Sequence, residues 1–240
     1  MSYHSPLDDG LSRRSAYDSG AIDLGLRRYM LRVYNFMAGG LGLTGLVAYA
    51  AAASGFFQTI AGTPLIWVVM LAPLALVLLL SFRIERMSAG AAQTAFWGYA
   101  ALMGLSLSGI FLVFTGASIA RVFFIAAATF AAMSLYGYTT RRDLSRLGSF
   151  LFMGLIGIVL ASLVNLFIGS SALQFAVSVI GVVVFTGLTA WDTQRIKELY
   201  LESDPGEVST KKAVMGALAL YLDFINLFVM LLQLTGQRRG

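Results

Sequence analysis

Seven apolar runs, each about 20 residues long and so long enough to carry a helix across a bilayer, fill most of this chain and are separated by short polar breaks. Hydrocarbon offers no partner to an unpaired backbone amide, so runs of this length must fold as helices. They fall near Val33–Ala53, Pro64–Phe82, Gln93–Phe114, Ser118–Thr139, Phe150–Gly169, Leu173–Trp191 and Val214–Thr235. The predicted fold is all-α: a polytopic membrane protein built as a seven-transmembrane-helix bundle. Only 12% of its residues are charged, against about 25% in an average soluble domain, which argues against a water-soluble core. Residues 1–28 mix Ser, Asp, Arg and Gly and are expected to form a flexible cytoplasmic tail, leaving 29–240 as the one transmembrane domain. The first span ends in Ala50-Ala-Ala-Ala-Ser54, an imitation of a signal-peptidase site. Its apolar core and long polar leader make it an expected uncleaved anchor.

The net charge of +5 reads as topology information, with no nucleic acid implied. An N-terminus in the cytoplasm places fourteen of the seventeen basic residues on the inside, among them Arg27, Arg28, Arg32, Arg83, Arg86, Arg141, Arg142, Arg195 and Lys211. Arg121, Arg238 and Arg239 then lie outside. They keep open an alternative of six crossings with a re-entrant last segment.

Several kinds of chemistry are missing from the composition. Cysteine is absent and the single histidine, His4, is in the polar tail. Thiolate catalysis, most zinc sites and imidazole acid–base chemistry within the membrane are therefore excluded. The run Gly104-Leu-Ser106-Leu-Ser108-Gly109 would suit an intramembrane serine nucleophile only with a histidine partner, so it reads as helix packing. Pro73 interrupts the second span and is expected to kink it. No enzyme centre and no resident cofactor is expected.

Carboxylates are what remains to titrate in the bilayer. Of twelve acidic residues, Asp223 alone lies well inside an apolar run, where a charge costs about 2.5–3.5 kcal/mol on insertion scales and is normally paired and functional. Gly216, Asp223, Asn226, Met230 and Gln233 share one face of the last span. The sixth span carries its own stripe, ending at Asp192, Thr193 and Gln194. The two spans are consecutive and antiparallel, which favours contact between Asp192 and Asp223, although alignment by sequence leaves Asp223 two or three turns deeper. Two carboxylates meeting in a low dielectric can share a proton near neutral pH, and with hydroxyl and amide oxygens can attract Ca²⁺ weakly. The pair is thus a candidate pH sensor, cation path and metal site, with Asn226, Thr193 and Gln194 as supporting polar groups. Arg86 or Arg83, at the end of the second span, is a candidate latch that holds an aspartate until it is protonated.

From Leu31 to the C-terminus the chain resembles the Bax inhibitor-1, or transmembrane Bax-inhibitor-motif, family, and its bacterial branch in particular. The resemblance rests on Trp191-Asp192-Thr193-Gln194, similar to the family's Tyr-Asp-Thr-Gln element, and on Ala217-Leu-Ala-Leu-Tyr-Leu-Asp223-Phe-Ile-Asn226-Leu-Phe228. Arg86-Met-Ser and Leu105-Ser-Leu-Ser-Gly-Ile-Phe-Leu-Val also look like bacterial members. It implies a bundle with the last helix central, in a bacterial inner (plasma) membrane. It further implies a pH-sensitive calcium leak gated by two aspartates, here Asp192 and Asp223, and closed by an arginine of the second helix, Arg86 or Arg83.

The expected function is a passive, proton-modulated Ca²⁺ leak channel whose partners are the lipid bilayer, Ca²⁺ and protons. The alternative is a membrane regulator that binds a partner protein, such as a membrane protease or stress-response factor, through its tail and the Arg141–Arg146 loop. A secondary transporter is weaker, since no matched pair of broken spans is evident.

Overall fold

A computed structural model describes the backbone of residues 6–239 and the side chains of residues 24–239. Its helices are α1 (Pro6–Ala53), α2 (Phe56–Ala61), α3 (Leu65–Arg83), α4 (Ala89–Leu107), α5 (Ile110–Val113), α6 (Gly116–Thr139), α7 (Ser145–Ile168), α8 (Ser171–Glu198) and α9 (Gly206–Thr235). Seven stretches are long and apolar enough to span a membrane: α1 from Leu24 onward, α3, α4 together with α5, and α6 through α9. The first span begins at Leu24, nine residues ahead of the apolar run. The extra turns carry Arg27, Arg28 and Arg32, whose aliphatic stems tolerate the interface while their heads reach water. Ahead of Leu24 the polar segment is helical in backbone from Pro6 and continuous with the span, while residues 1–5 of the expected tail lie outside the described residues.

Local chemistry sets the helix boundaries. Ser88, Thr115 and Ser170 each accept a hydrogen bond from a backbone N–H three residues on, capping α4, α6 and α8. At its other end α7 stops on Gly169, whose φ of 66° is the left-handed conformation that lets the chain turn back. The expected third span, Gln93–Phe114, is two helices. Its ladder breaks at Ser108, whose hydroxyl bonds the Leu105 carbonyl at 2.7 Å, and at Gly109, which backs onto the ring of Phe57. Pro73, by contrast, lies buried within an uninterrupted α3. After the sixth span α8 continues to Glu198 and α9 starts at Gly206, so the polar connection between them is confined to residues 199–205.

The last helix is central. α9 packs on α1, α4, α6 and α8, and 61% of its spanning window is buried, against 39% at most for any other span. Tyr221 shows how it is held there: its ring stands edge-on to Tyr99 and Phe96, and its hydroxyl meets Thr44 at 2.6 Å. Thr44 in turn donates to the Ala100 carbonyl at 2.8 Å, so Tyr221 must be the donor, and one chain of bonds ties α9, α1 and α4. α7, with 11% of its window buried, faces lipid along most of its length.

The far end of α9 settles the number of crossings. Gln237 N–H donates to Ser118 Oγ at 2.9 Å, Thr115 N–H to the Gln237 carbonyl at 3.0 Å, and Arg239 N–H to the Val113 carbonyl at 2.9 Å. The terminal segment is thereby pinned at the α5–α6 junction, the bundle end opposite to Arg27. The last segment crosses fully, and the re-entrant alternative with six crossings does not hold.

Candidate functional site

The four residues Trp191 to Gln194 point in four directions, and each fastens α8 to a different neighbour. Trp191 covers Gly148 of α7 so closely that a Cβ there would overlap its ring. The Thr193 hydroxyl donates to the Thr189 carbonyl at 2.7 Å and meets Ser134 Oγ of α6 at 3.0 Å, and Ser134 meets the Tyr34 hydroxyl of α1 at 2.7 Å. Gln194 is fully engaged with the α6–α7 connection, its carbonyl oxygen accepting from Leu144 N–H and its amide donating to the Arg142 carbonyl, both at 2.8 Å. Asp192 faces α9.

Across that interface the carboxyl groups of Asp192 and Asp223 are neighbours. Two contacts explain how residues at different expected depths meet. Gly216 of α9 packs on Ile196, and Gly181 of α8 packs on Met230, which fixes the register of the pair. In that register Asp223 is level with Leu188 and Thr189, so only about 5 Å, one helical turn, separates it axially from Asp192. The two or three turns expected from the sequence shrink to one because α8 extends past the apolar run while α9 starts early. Two carboxyl groups this close can form a hydrogen bond only when one of them carries a proton.

The two acids differ in their surroundings. Asp223 is 4% exposed, and its Oδ2 is buried without a hydrogen-bond partner. Asp192 is half-buried in the wall of a cavity of about 510 Å³ that opens at the basic end of the bundle, between the end of α3, α8 and α9. Arg195, Lys211 and Lys212 also line this cavity. Lys211 bridges it by donating to the Glu85 carbonyl at 3.3 Å, while Lys212 pairs with Asp204 at 2.6 Å.

The other expected site residues are placed differently. Asn226 bonds its own helix, at the Leu222 carbonyl, at 2.8 Å. Thr193 and Gln194 act as fasteners, with their polar atoms turned away from the acids. Arg83 and Arg86 are exposed, and among the described residues neither is joined to Asp192 or Asp223 by an ion pair. The cation that acts on Asp192 is Arg195, whose guanidinium lies over the Trp191 ring, 5.4 Å from its centroid. Sequence reasoning missed it although the signal was there, since Arg195 follows Asp192 by three residues and shares its helical face. No cluster of three or more metal-ligating acids or histidines exists among the described residues, so two acids are all the site has to offer a cation.

Beyond Asp223, away from the basic end, Met230 fills the notch at Gly181. A second polar group follows, where Gln233 Oε1 accepts from Gln174 Nε2 at 2.6 Å and from Ser178 Oγ at 2.9 Å. The acid pair thus lies between an open basic cavity and the packing of Met230 on Gly181.

Fold and site together define an integral membrane protein with seven stretches long and apolar enough to span a membrane and two neighbouring acids, Asp192 and Asp223, at its central helix. The family described as "Inhibitor of apoptosis-promoting Bax1" matches residues 26–240, and the chain belongs to it, the Bax inhibitor-1 family. Similar proteins include the inner membrane protein YbhL of Escherichia coli K12, 52% identical over 219 residues that cover 90% of this chain and 94% of that protein. An uncharacterized protein of Rickettsia prowazekii is 53% identical over 222 residues, covering 90% and 92% respectively. An uncharacterized membrane protein of Streptococcus pyogenes is 37% identical over 218 residues, covering 90% and 95%.

Proposed function

We propose that this protein is a passive Ca²⁺ leak channel of the membrane, switched by the proton shared between Asp192 and Asp223. The observation that carries the reading is the meeting of these two carboxyls across α8 and α9, one of them in the wall of a cavity open at the basic end. With one proton between them the pair clasps the two helices and offers little charge to a cation. Loss of that proton leaves two negative charges in a poorly polarisable setting, which repel each other and attract Ca²⁺. Flux should then rise with pH. Two acids without further ligands suit weak, passing occupancy. The basic end faces the cytoplasm in this reading, following the excess of Lys and Arg there.

The test is Ca²⁺ influx into liposomes carrying the purified protein, measured between about pH 6 and pH 8. Wild type should leak more at the higher pH. Asp223→Asn, which can still donate a hydrogen bond to Asp192 but cannot lose a proton, should leak little at any pH, and Asp192→Asn should also lose the pH response. Flux no greater than in empty liposomes would sink the channel reading and favour a regulator that works by binding another protein.

A further inference from the structure

Two helices of the bundle stand apart at the basic end. α1 packs on α4 and α9, and α6 packs on α8 and α9, which leaves a cleft of about 560 Å³ between α1 and α6. Its walls are apolar, with Leu31 on one side and Phe130, Ala131 and Leu135 on the other, and Arg27 stands at its mouth. Ala131 and Leu135 lie eight and four residues before the end of α6 at Thr139, so the cleft reaches about 12 Å into the bilayer from the basic boundary.

The hydroxyls at its floor are committed elsewhere. Thr193 spends its proton on the Thr189 carbonyl and can only accept from Ser134, so Ser134 must accept from Tyr34. No hydroxyl donor is left over for a polar ligand at that depth. What the cleft offers is an apolar slot with a guanidinium above it. Arg28 and Arg32 border a neighbouring groove on the other flank of α1, which adds basic charge at the same end of the bundle.

We propose that the α1–α6 cleft is a binding site for an anionic phospholipid of the leaflet on the basic side, with its phosphate at Arg27 and one acyl chain between Leu31 and Ala131. Depth, shape and charge agree on this occupant. At this level of the membrane the surrounding solvent is lipid chain, and a guanidinium binds phosphate through paired N–H donors.

Purified full-length protein in detergent is offered phosphatidylglycerol, phosphatidylcholine with the same chains, or glycerol phosphate, and bound lipid is counted by native mass spectrometry beside the unfolding temperature. Phosphatidylglycerol should be retained in preference to phosphatidylcholine and should raise the unfolding temperature, while glycerol phosphate does neither. Arg27→Gln should cut the preference for phosphatidylglycerol about fivefold, the weight of one basic side chain against an anionic lipid. Ala131→Trp, which fills the slot, should lower retention of both lipids; Arg121→Gln, at the opposite end of the bundle, should change nothing. The exposed Arg27 supports no core packing, so its variant keeps the test valid even if Ala131→Trp fails to fold. Equal retention of the two phospholipids, an undiminished preference in Arg27→Gln, or stabilisation by glycerol phosphate alone would overturn the assignment.

Discussion

Gly137 of α6 lies against the Ala190 carbonyl of α8, so close that a Cβ on Gly137 would overlap the oxygen. The contact occurs just before Trp191-Asp192-Thr193-Gln194 and sets how near α6 stands to the helix that carries Asp192. Because the obstacle is backbone, no rotamer change can relieve it. Gly137→Ala should therefore destabilise the protein by about 3 kcal/mol, the upper range for overpacking, whereas Gly157→Ala, with nothing within 4 Å, should be nearly neutral. Thermal unfolding of the two variants in detergent would show the difference, and equal midpoints would remove the steric argument.

Gln194 holds the α6–α7 connection with both ends of its amide. Gln194→Ala leaves the Leu144 N–H and the Arg142 carbonyl without those partners, at a cost of about 2 kcal/mol after water reaches part of the site. Hydrogen exchange offers a local readout: the Leu144 amide should exchange faster in the variant while amides in the middle of α9 keep their protection.

Much of this architecture was legible in the chain. Seven apolar runs gave the spans, because the bilayer imposes one length on all of them, and Asp223 announced itself by its cost in hydrocarbon. The pairing of Asp192 with Asp223 was harder to see. It depends on where α8 and α9 begin and end, which is decided by polar turns such as Lys197–Glu198 and Gly206–Glu207 that no hydropathy pattern counts as membrane. Register also depends on notches at Gly181 and Gly216, and although Gly216 and Met230 lie on the Asp223 face of the last span, spacing alone does not say that Met230 packs on Gly181 or Ile196 on Gly216. Arg83 and Arg86 were attractive because basic residues near an acid invite pairing, yet sequence distance to the boundary says nothing of reach. Thr193 and Gln194 stand out in the sequence because polar groups in apolar surroundings do so equally whether they serve a path or a joint, and their hydrogen bonds join α8 to α6 and to the α6–α7 connection.

Outside the spans, Asp143 accepts a hydrogen bond from Ser145 N–H at 2.8 Å, at the start of α7, and the bonds from Ser145 hold its carboxyl below its ordinary value. A lowered value means that the ionised form is favoured in the folded chain. Its help to the first turn of α7 should be complete above the ordinary carboxylate range and fade as pH falls through the lowered value. In wild type the Ser145 amide should exchange faster at acid pH, after correction for intrinsic rates, and in Asp143→Ala that extra dependence should vanish. Full exposure keeps the effect local, so the unfolding temperature should hardly move.

Met230 packs into the notch at Gly181 on the far side of the acid pair, with the Gln174, Ser178 and Gln233 cluster just beyond. If Ca²⁺ passes the pair, it must also pass this layer, and an apolar constriction resists a hydrated ion by excluding water. Met230→Ala opens the notch without touching a charge. On the proposed reading it should raise liposome Ca²⁺ influx several-fold at the higher pH while leaving the response to pH intact, because neither Asp192 nor Asp223 is altered. Met230→Leu, which restores apolar bulk, should bring the flux back toward wild type. A Met230→Ala protein that leaks no faster than wild type would mean that resistance lies elsewhere, and one that loses its pH response would mean that the Met230 packing and the acid pair move as one unit.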